Sequence, residues 1–90
     1  MYANGTKSGV KFCLKPAAQV NKVAIAGDFN GWKPQSMKKQ KDGSYSLTVK
    51  VPAGRHEYKF VLDGDWVHDP DVPEVSVNNF GTLNSVAEVK

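Results

Sequence analysis

Two tryptophans stand in turn-forming sequence and not in the middle of an apolar strand pattern. Trp32 ends the run Asp28-Phe29-Asn30-Gly31-Trp32, and Trp66 follows Asp63-Gly64-Asp65. Tryptophan in a small domain is usually buried, whereas flanking turns and charges favour exposure, so the pattern alone leaves both open. Two exposed indoles on one face would form a stacking platform. An indole can cover the apolar C–H face of a sugar ring while amide and ammonium groups bond its hydroxyls, so this pair favours carbohydrate binding.

The residues that could support catalysis have simpler structural interpretations. Glycoside hydrolysis needs two facing carboxylates, but each candidate acid stands beside Gly or Pro and is expected to form turns: Asp63, Asp65, Asp69 and Asp71. His56 falls in an apolar strand pattern, and His68 adjoins Asp69 without a nucleophile placed by the sequence. Cys13 alternates outward between lysines, which predicts a surface thiol. We therefore expect no enzymatic activity, no cofactor and no metal site.

The composition of the chain predicts the kind of fold that holds these residues. The chain has 90 residues, 40% of them hydrophobic, and carries 12 Lys+Arg against 9 Asp+Glu for a formal charge of +3. This size and balance predict one folded domain with a thin core. The positive excess is diffuse, so a nucleic-acid partner is not expected. No apolar run reaches the roughly 20 residues that span a bilayer, so no membrane association is expected either.

Period-two alternation predicts an all-β chain. The clearest strand has Tyr45, Leu47, Val49 and Val51 on one face, and similar patterns cover residues 10–14 and 56–63. Residues 22–26 form a short apolar run, and weaker patterns follow at 66–67, 75–77 and 85–89. Asp42-Gly43, Pro52-Ala53-Gly54 and Asp63-Gly64 supply turns between them. Six to eight antiparallel strands at this spacing predict an immunoglobulin-like β-sandwich.

Two motifs together make a specific resemblance. Residues 23–32 read VAIAGDFNGW and residues 54–70 read GRHEYKFVLDGDWVHDP. The pair resembles the glycogen-binding domain of the AMP-activated protein kinase beta subunit type. That domain belongs to carbohydrate-binding module family forty-eight and is related to the isoamylase-type early-set domains. The resemblance extends from about Val10 to Lys90 and includes the loop Phe80-Gly81-Thr82-Leu83-Asn84-Ser85.

The resemblance implies a non-catalytic domain that binds α-1,4-linked glucan: glycogen, starch or malto-oligosaccharides. It implies sugar-stacking indoles at Trp32 and Trp66, an ammonium at Lys59 that binds hydroxyls, and ligand contacts at Thr82 and Asn84. Strand alternation independently places Lys59 on the face opposite Tyr58 and Phe60. The chain departs from the kinase domains at Phe80, where they carry leucine. Phe80 would either add a third stacking surface or obstruct a curved oligosaccharide, and we favour the first.

The same resemblance leaves a second function open. An early-set domain can pack against a catalytic domain or partner subunit without binding sugar, so a kinase or glycoside hydrolase partner is expected under either interpretation. The indole pair favours the binding function, because a packing domain does not need it. We expect a loose N-terminus over residues 1–8, one domain over 9–90, and loop at 17–21. One cysteine and the absence of a signal-like N-terminus favour a cytoplasmic location.

Overall fold

The computed structural model describes residues 2–6, 9–16, 19–72, 74–78 and 80–89. Ten strands and one 3₁₀ turn account for most of this part of the chain. They are β1 (Tyr2–Thr6), β2 (Gly9–Leu14), β3 (Val23–Gly27), the turn η1 (Asp28–Asn30), β4 (Gln35–Ser36), β5 (Lys38–Lys39), β6 (Tyr45–Val49), β7 (Gly54–Leu62), β8 (Asp65–Val67), β9 (Val75–Val77) and β10 (Leu83–Val89). The described part contains no helix with the length and hydrophobicity to cross a bilayer.

The strands form two antiparallel sheets. One has the order β1-β2-β6-β5, and the other has the order β4-β3-β7-β10-β9 with β8 attached to β7. Side chains from both sheets share one core, in which Phe12, Ile25, Tyr58 and Phe60 are fully buried. The predicted all-β sandwich is therefore confirmed.

Alternating side chains explain why these sheets pack face to face. Val10, Phe12 and Leu14 on β2 are buried, while Lys11 between them is exposed. Phe12 lies against Phe29 with ring centroids 5.3 Å apart, and meets Tyr58 edge to face at 5.0 Å. Each such aromatic pair contributes about 0.5–1.5 kcal/mol beyond the area it buries. The aromatic cluster thus fixes the relative position of the two sheets.

The central strand β7 changes its partner partway along one edge. It pairs with β10 through Tyr58, opposite Ser85, and then with β8 from Phe60, opposite Val67. Its other edge pairs with β3 throughout this region, from Tyr58 to Leu62. Lys59 is therefore the residue at which the ladder passes from one neighbour to the other. We call this place the β7 junction.

The structure has more strands than the sequence predicts, for reasons that differ between elements. β4 and β5 have two residues each, which is too short to show a period. The residues of β1, YANGT, do not alternate between apolar and polar, and the sequence therefore predicts a loose N-terminus. In the structure, Tyr2 of β1 instead pairs with Phe12 of β2. The Tyr2 hydroxyl also accepts a hydrogen bond from the Glu88 amide at 3.0 Å. Of the loop expected at residues 17–21, positions 17 and 18 lie outside the described residues, and 19–21 form no strand.

Candidate functional site

All six residues predicted to bind ligand line one groove on the outer face of the larger sheet. The groove has a volume of about 640 Å³, which is within the usual range for small-molecule sites. Its lining comprises Asp28, Trp32, Glu57, Lys59, Trp66, Ser76, Val77, Asn78, Phe80, Thr82 and Asn84. We call it the first groove. It collects side chains from β7, β8, β9, β10 and the loops after β3 and β9.

Trp32 is held by a loop that folds back on the end of β3. The Asn30 side-chain oxygen accepts from the Gly27 amide at 3.0 Å, and its Nδ2 donates to Gln35 Oε1 at 3.0 Å. The Trp32 amide donates to the Gly27 carbonyl at 2.9 Å. A side chain at Gly27 would have no room, since a Cβ there would lie 2.8 Å from the Glu57 carbonyl oxygen. Asn30 thus has the loop-forming role that its residue type predicts.

The backbone of Trp32 has a conformation that bulky residues rarely adopt. Its φ angle is 61°, and the preceding Gly31 has φ 68°. For an L-residue with a Cβ the left-handed region costs roughly 1–2 kcal/mol. The surrounding hydrogen bonds hold the residue there and leave its side chain 37% exposed. Such strain is found more often at functional positions than elsewhere.

Trp66 reaches the same groove from the hairpin between β7 and β8. It opposes Val61, so its indole lies on the sheet face shared by Val61 and Lys59. The side chain is 46% exposed. At the hairpin turn the Asp63 carboxylate accepts from the amides of Asn21 and Lys22, the latter at 2.8 Å. Asp63 lies in the turn, as predicted, and its carboxylate ties the hairpin to the segment before β3.

Lys59 lies at the β7 junction with its ammonium directed toward the loop that follows β9. Its Nζ donates to Thr82 Oγ1 at 2.8 Å, and the residue is only 8% exposed. The predicted face is correct, but the sequence does not indicate this burial. Trp66 and Thr82 line the groove beside Lys59. An ammonium has three donors, so two remain after the bond to Thr82.

Asn78 organises the loop that carries Phe80 and Thr82, and it also bonds Asn84 at the start of β10. Its Oδ1 accepts from the amides of Phe80 at 2.9 Å and Thr82 at 3.1 Å. Its Nδ2 donates to Thr82 Oγ1 at 2.7 Å and Asn84 Oδ1 at 3.2 Å. Thr82 Oγ1 therefore accepts two hydrogen bonds and has its hydroxyl proton left to donate. Asn78 was not predicted from the sequence, although an Asn three residues before Gly81 is a turn signal that could have indicated it.

Asn84 completes the polar network along the groove floor. Its Nδ2 donates to Glu57 Oε1 at 3.1 Å, and the residue is nearly buried. One N–H and one oxygen lone pair of the Asn84 amide remain available to a ligand. Glu57, also missed from the sequence, belongs to β7 and is opposite Val86 in the ladder. Its contact with Asn84 depends on tertiary packing and leaves no local pattern.

Phe80 differs from the other predicted residues in being almost free of protein contact. Its side chain is 91% exposed at the rim of the first groove. The following Gly81 has φ 78°, and its amide donates to the Asn78 carbonyl at 3.0 Å. A phenyl ring so exposed contributes little to the core, so its contact surface is available to a ligand.

Two of the residues weighed for catalysis, Asp69 and His56, have structural partners. Asp69 is fully buried, with Oδ2 accepting from the Tyr58 hydroxyl at 2.8 Å and its amide donating to Ser85 Oγ at 2.5 Å. It is thus a core acceptor, and its Oδ1 also accepts from the Asp71 amide at 3.0 Å, which is the local turn that its residue type predicts. His56 is half-buried, with Nδ1 2.7 Å from Asp28 Oδ1 and Nε2 2.8 Å from the Pro52 carbonyl. Cys13 is half-buried on β2. Across the residues that the structure describes, no three metal-ligating side chains converge.

Comparison with known proteins agrees with this architecture. The family model described as the glycogen recognition site of AMP-activated protein kinase matches residues 10–90. The 5'-AMP-activated protein kinase subunits beta-2 of Homo sapiens and Mus musculus are 38% identical over 68 residues, which is 76% of this chain and 25% of theirs. The Sus scrofa beta-1 subunit is 35% identical over 68 residues, 54% of its sequence. The chain spans about a quarter of the length of the beta-2 relatives.

The family model and the β-sandwich together define a carbohydrate-binding module, a class of non-catalytic binding domain. Within that class, the chain belongs to the family of glycogen recognition domains of AMP-activated protein kinase. The resemblance seen in the sequence is therefore confirmed.

Proposed function

We propose that this domain binds α-1,4-linked glucan in the first groove, with glycogen, starch and malto-oligosaccharides as ligands. The observation that carries the proposal is the convergence of Trp32, Lys59, Trp66, Thr82 and Asn84 on one groove, with Phe80 at its rim. These residues come from separate parts of the chain, and a domain that only packed against a partner would not require this combination.

The two indoles supply the apolar part of the interaction. Trp32 and Trp66 are 37% and 46% exposed and border the same groove. Sugar rings stacked on them would cover apolar surface that water now contacts. Stacking of nucleobases on aromatic side chains contributes roughly 1–3 kcal/mol per base, the nearest available guide to the size of such a contact. Phe80 extends this surface outward as a third stacking group.

The polar network supplies hydrogen bonds to sugar hydroxyls. Lys59 has two unused N–H donors, Thr82 has its hydroxyl proton, and Asn84 retains one donor and one acceptor. The network is held by protein contacts before any ligand arrives, so less conformational entropy is lost on binding. A groove rich in donors and apolar rings matches a neutral polyhydroxylated ligand.

The domain's role is to keep an attached or partner enzyme near polymeric glucan. A single shallow groove binds with roughly micromolar to millimolar Kd, and a polymer with many repeats compensates by raising the local concentration. The related beta subunits are named for a kinase, so we propose a kinase partner ahead of a glycoside hydrolase.

The test is a titration of the domain with maltoheptaose, followed by backbone amide shifts, with cellohexaose as the β-linked control. We expect shifts at Trp32, Lys59, Trp66 and the loop 80–84 with maltoheptaose only. Unchanged spectra at millimolar maltoheptaose would overturn the proposal and favour a packing domain. Equal shifts with cellohexaose would refute the α-linkage preference while preserving sugar binding.

A further inference from the structure

A second groove opens on the other side of the residues that border the first. It has a volume of about 460 Å³ and shares Lys59, Trp66 and Thr82 with the first groove. Its remaining lining includes Lys15, Pro16, Val67, His68, Pro70 and Leu83. The three shared residues therefore form a ridge between two neighbouring depressions. Sugar binding in the first groove uses only one side of this ridge.

The second groove exists because of the β7 junction. β10 leaves β7 after the pairing of Ser85 with Tyr58, and β8 joins β7 at Phe60. The chain between β8 and β10 does not fill this gap with another strand. Asp69 anchors the segment after β8 to Ser85, which fixes the groove wall. The depression thus follows from the arrangement of the strands.

The lining of the second groove suits the same kind of ligand as the first. Proline rings and aliphatic side chains give it an apolar surface, and Lys15 and His68 add exposed polar groups. No acidic residue lines it among the described residues. The Lys59 ammonium, on a side chain that is largely buried, spends one of its three donors on Thr82. Its other two donors can bond sugar hydroxyls, and Lys59 lines both grooves.

We propose that the second groove binds a further stretch of the same glucan, so that the ridge of Lys59, Trp66 and Thr82 contacts sugar on both sides. This inference rests on the proposed function of the first groove and extends it. The two grooves adjoin, which supports glucan as the ligand of the second groove. A glucan chain lying in the first groove reaches the second directly across Trp66. Affinity then rises with chain length after the first groove is full.

The experiment compares Kd for maltotriose, maltoheptaose and longer malto-oligosaccharides between the native domain and the double variant Lys15→Ala, His68→Ala. Both side chains are exposed and line only the second groove. We expect the variant to bind maltotriose like the native domain and to lose about five- to tenfold in affinity for the longest sugar, the equivalent of one or two net hydrogen bonds. Lys41→Ala, in an exposed turn at residues 41–43, is the charge-matched control.

Amide shifts locate the sugar independently of these variants. Long oligosaccharides should shift Lys15, Val67 and His68, whereas maltotriose should shift only residues of the first groove. If the Kd of the native domain does not change with sugar length and the shifts stay within the first groove, sugar binding in the second groove is overturned. The proposed function is then left intact. Equal losses for short and long sugars in the double variant would also overturn it. Absence of binding for every sugar would instead overturn the proposed function.

Discussion

Trp66 is the residue whose contribution to binding can be separated from its contribution to the fold. Its side chain is 46% exposed, and the core beneath is filled by Phe60 and Tyr58, which are fully buried. Replacing Trp66 by Ala should weaken glucan binding by roughly 5- to 150-fold, which corresponds to the loss of about 1–3 kcal/mol of stacking. The melting temperature should change little, because little buried surface is removed.

Isothermal titration with maltoheptaose and thermal melting of the Trp66→Ala variant give the two readouts. Trp66→Phe should retain part of the affinity, since a smaller ring still stacks. A large fall in melting temperature, with affinity kept, would show that Trp66 serves packing and would remove it from the site.

Substitution of Phe80 tests whether its ring is an additional stacking surface or an obstruction to the sugar. At 91% exposure its removal should not affect stability, so Phe80→Ala reports on binding alone. We expect affinity to fall several-fold, because the apolar area that Phe80 offers a sugar is lost. Binding of linear and cyclic malto-oligosaccharides should be measured in parallel, with Phe80→Leu as the conservative control. Tighter binding of the cyclic sugar by Phe80→Ala would identify the ring as an obstruction.

At the scale of the element, the loop 78–82 depends on one side chain. Asn78 makes four hydrogen bonds that orient Phe80, Thr82 and Asn84. Asn78→Ala should therefore weaken glucan binding at least tenfold and lower stability by about 1–3 kcal/mol, the usual cost of unpaired polar groups. Asn78→Asp keeps both acceptor bonds to backbone amides and should lose less stability. Urea unfolding and sugar titration of both variants test this, and unchanged affinity in Asn78→Ala would contradict it.

The sequence predicts strands more reliably than the contacts between them. Alternation identified the long strands and the outward face of Lys59, because side-chain direction is a local property. It left the exposure of Trp32 and Trp66 open, since exposure depends on which loops cover them. Glu57 was missed because its contact with Asn84 joins distant parts of the chain, whereas Asn78 had a local turn signal that was not used. β1 was missed because its residues, YANGT, do not alternate between apolar and polar, although its backbone pairs with β2.

At the scale of the whole molecule, Tyr58 makes the free energy of unfolding depend on pH in the alkaline range. It is fully buried, and burial raises the pKa of the Tyr58 hydroxyl well above its usual value near 10. Above pH 10 the unfolded chain loses this proton while the folded protein keeps it. The unfolded state then binds fewer protons, so the free energy of unfolding decreases as pH rises further.

Tyr58→Phe should flatten this decrease. Urea unfolding of native and Tyr58→Phe protein between pH 8 and about 11 measures the difference, in which the titration of lysines and other tyrosines largely cancels. The variant should be less stable at pH 8, because Asp69 loses a hydrogen-bond donor, and the gap should narrow as pH rises. Parallel curves for the two proteins would contradict the assignment.

At position 32, the residue that suits the left-handed backbone differs from the residue that suits sugar binding. Trp32→Gly should be about 1 kcal/mol more stable than Trp32→Ala in urea unfolding, the reverse of the usual order, since only glycine adopts φ 61° without strain. A higher stability for the alanine variant would contradict this. Selection for a stable fold alone would replace this tryptophan with glycine or asparagine. A library of variants screened only for heat resistance should therefore yield robust proteins that have lost one indole of the site.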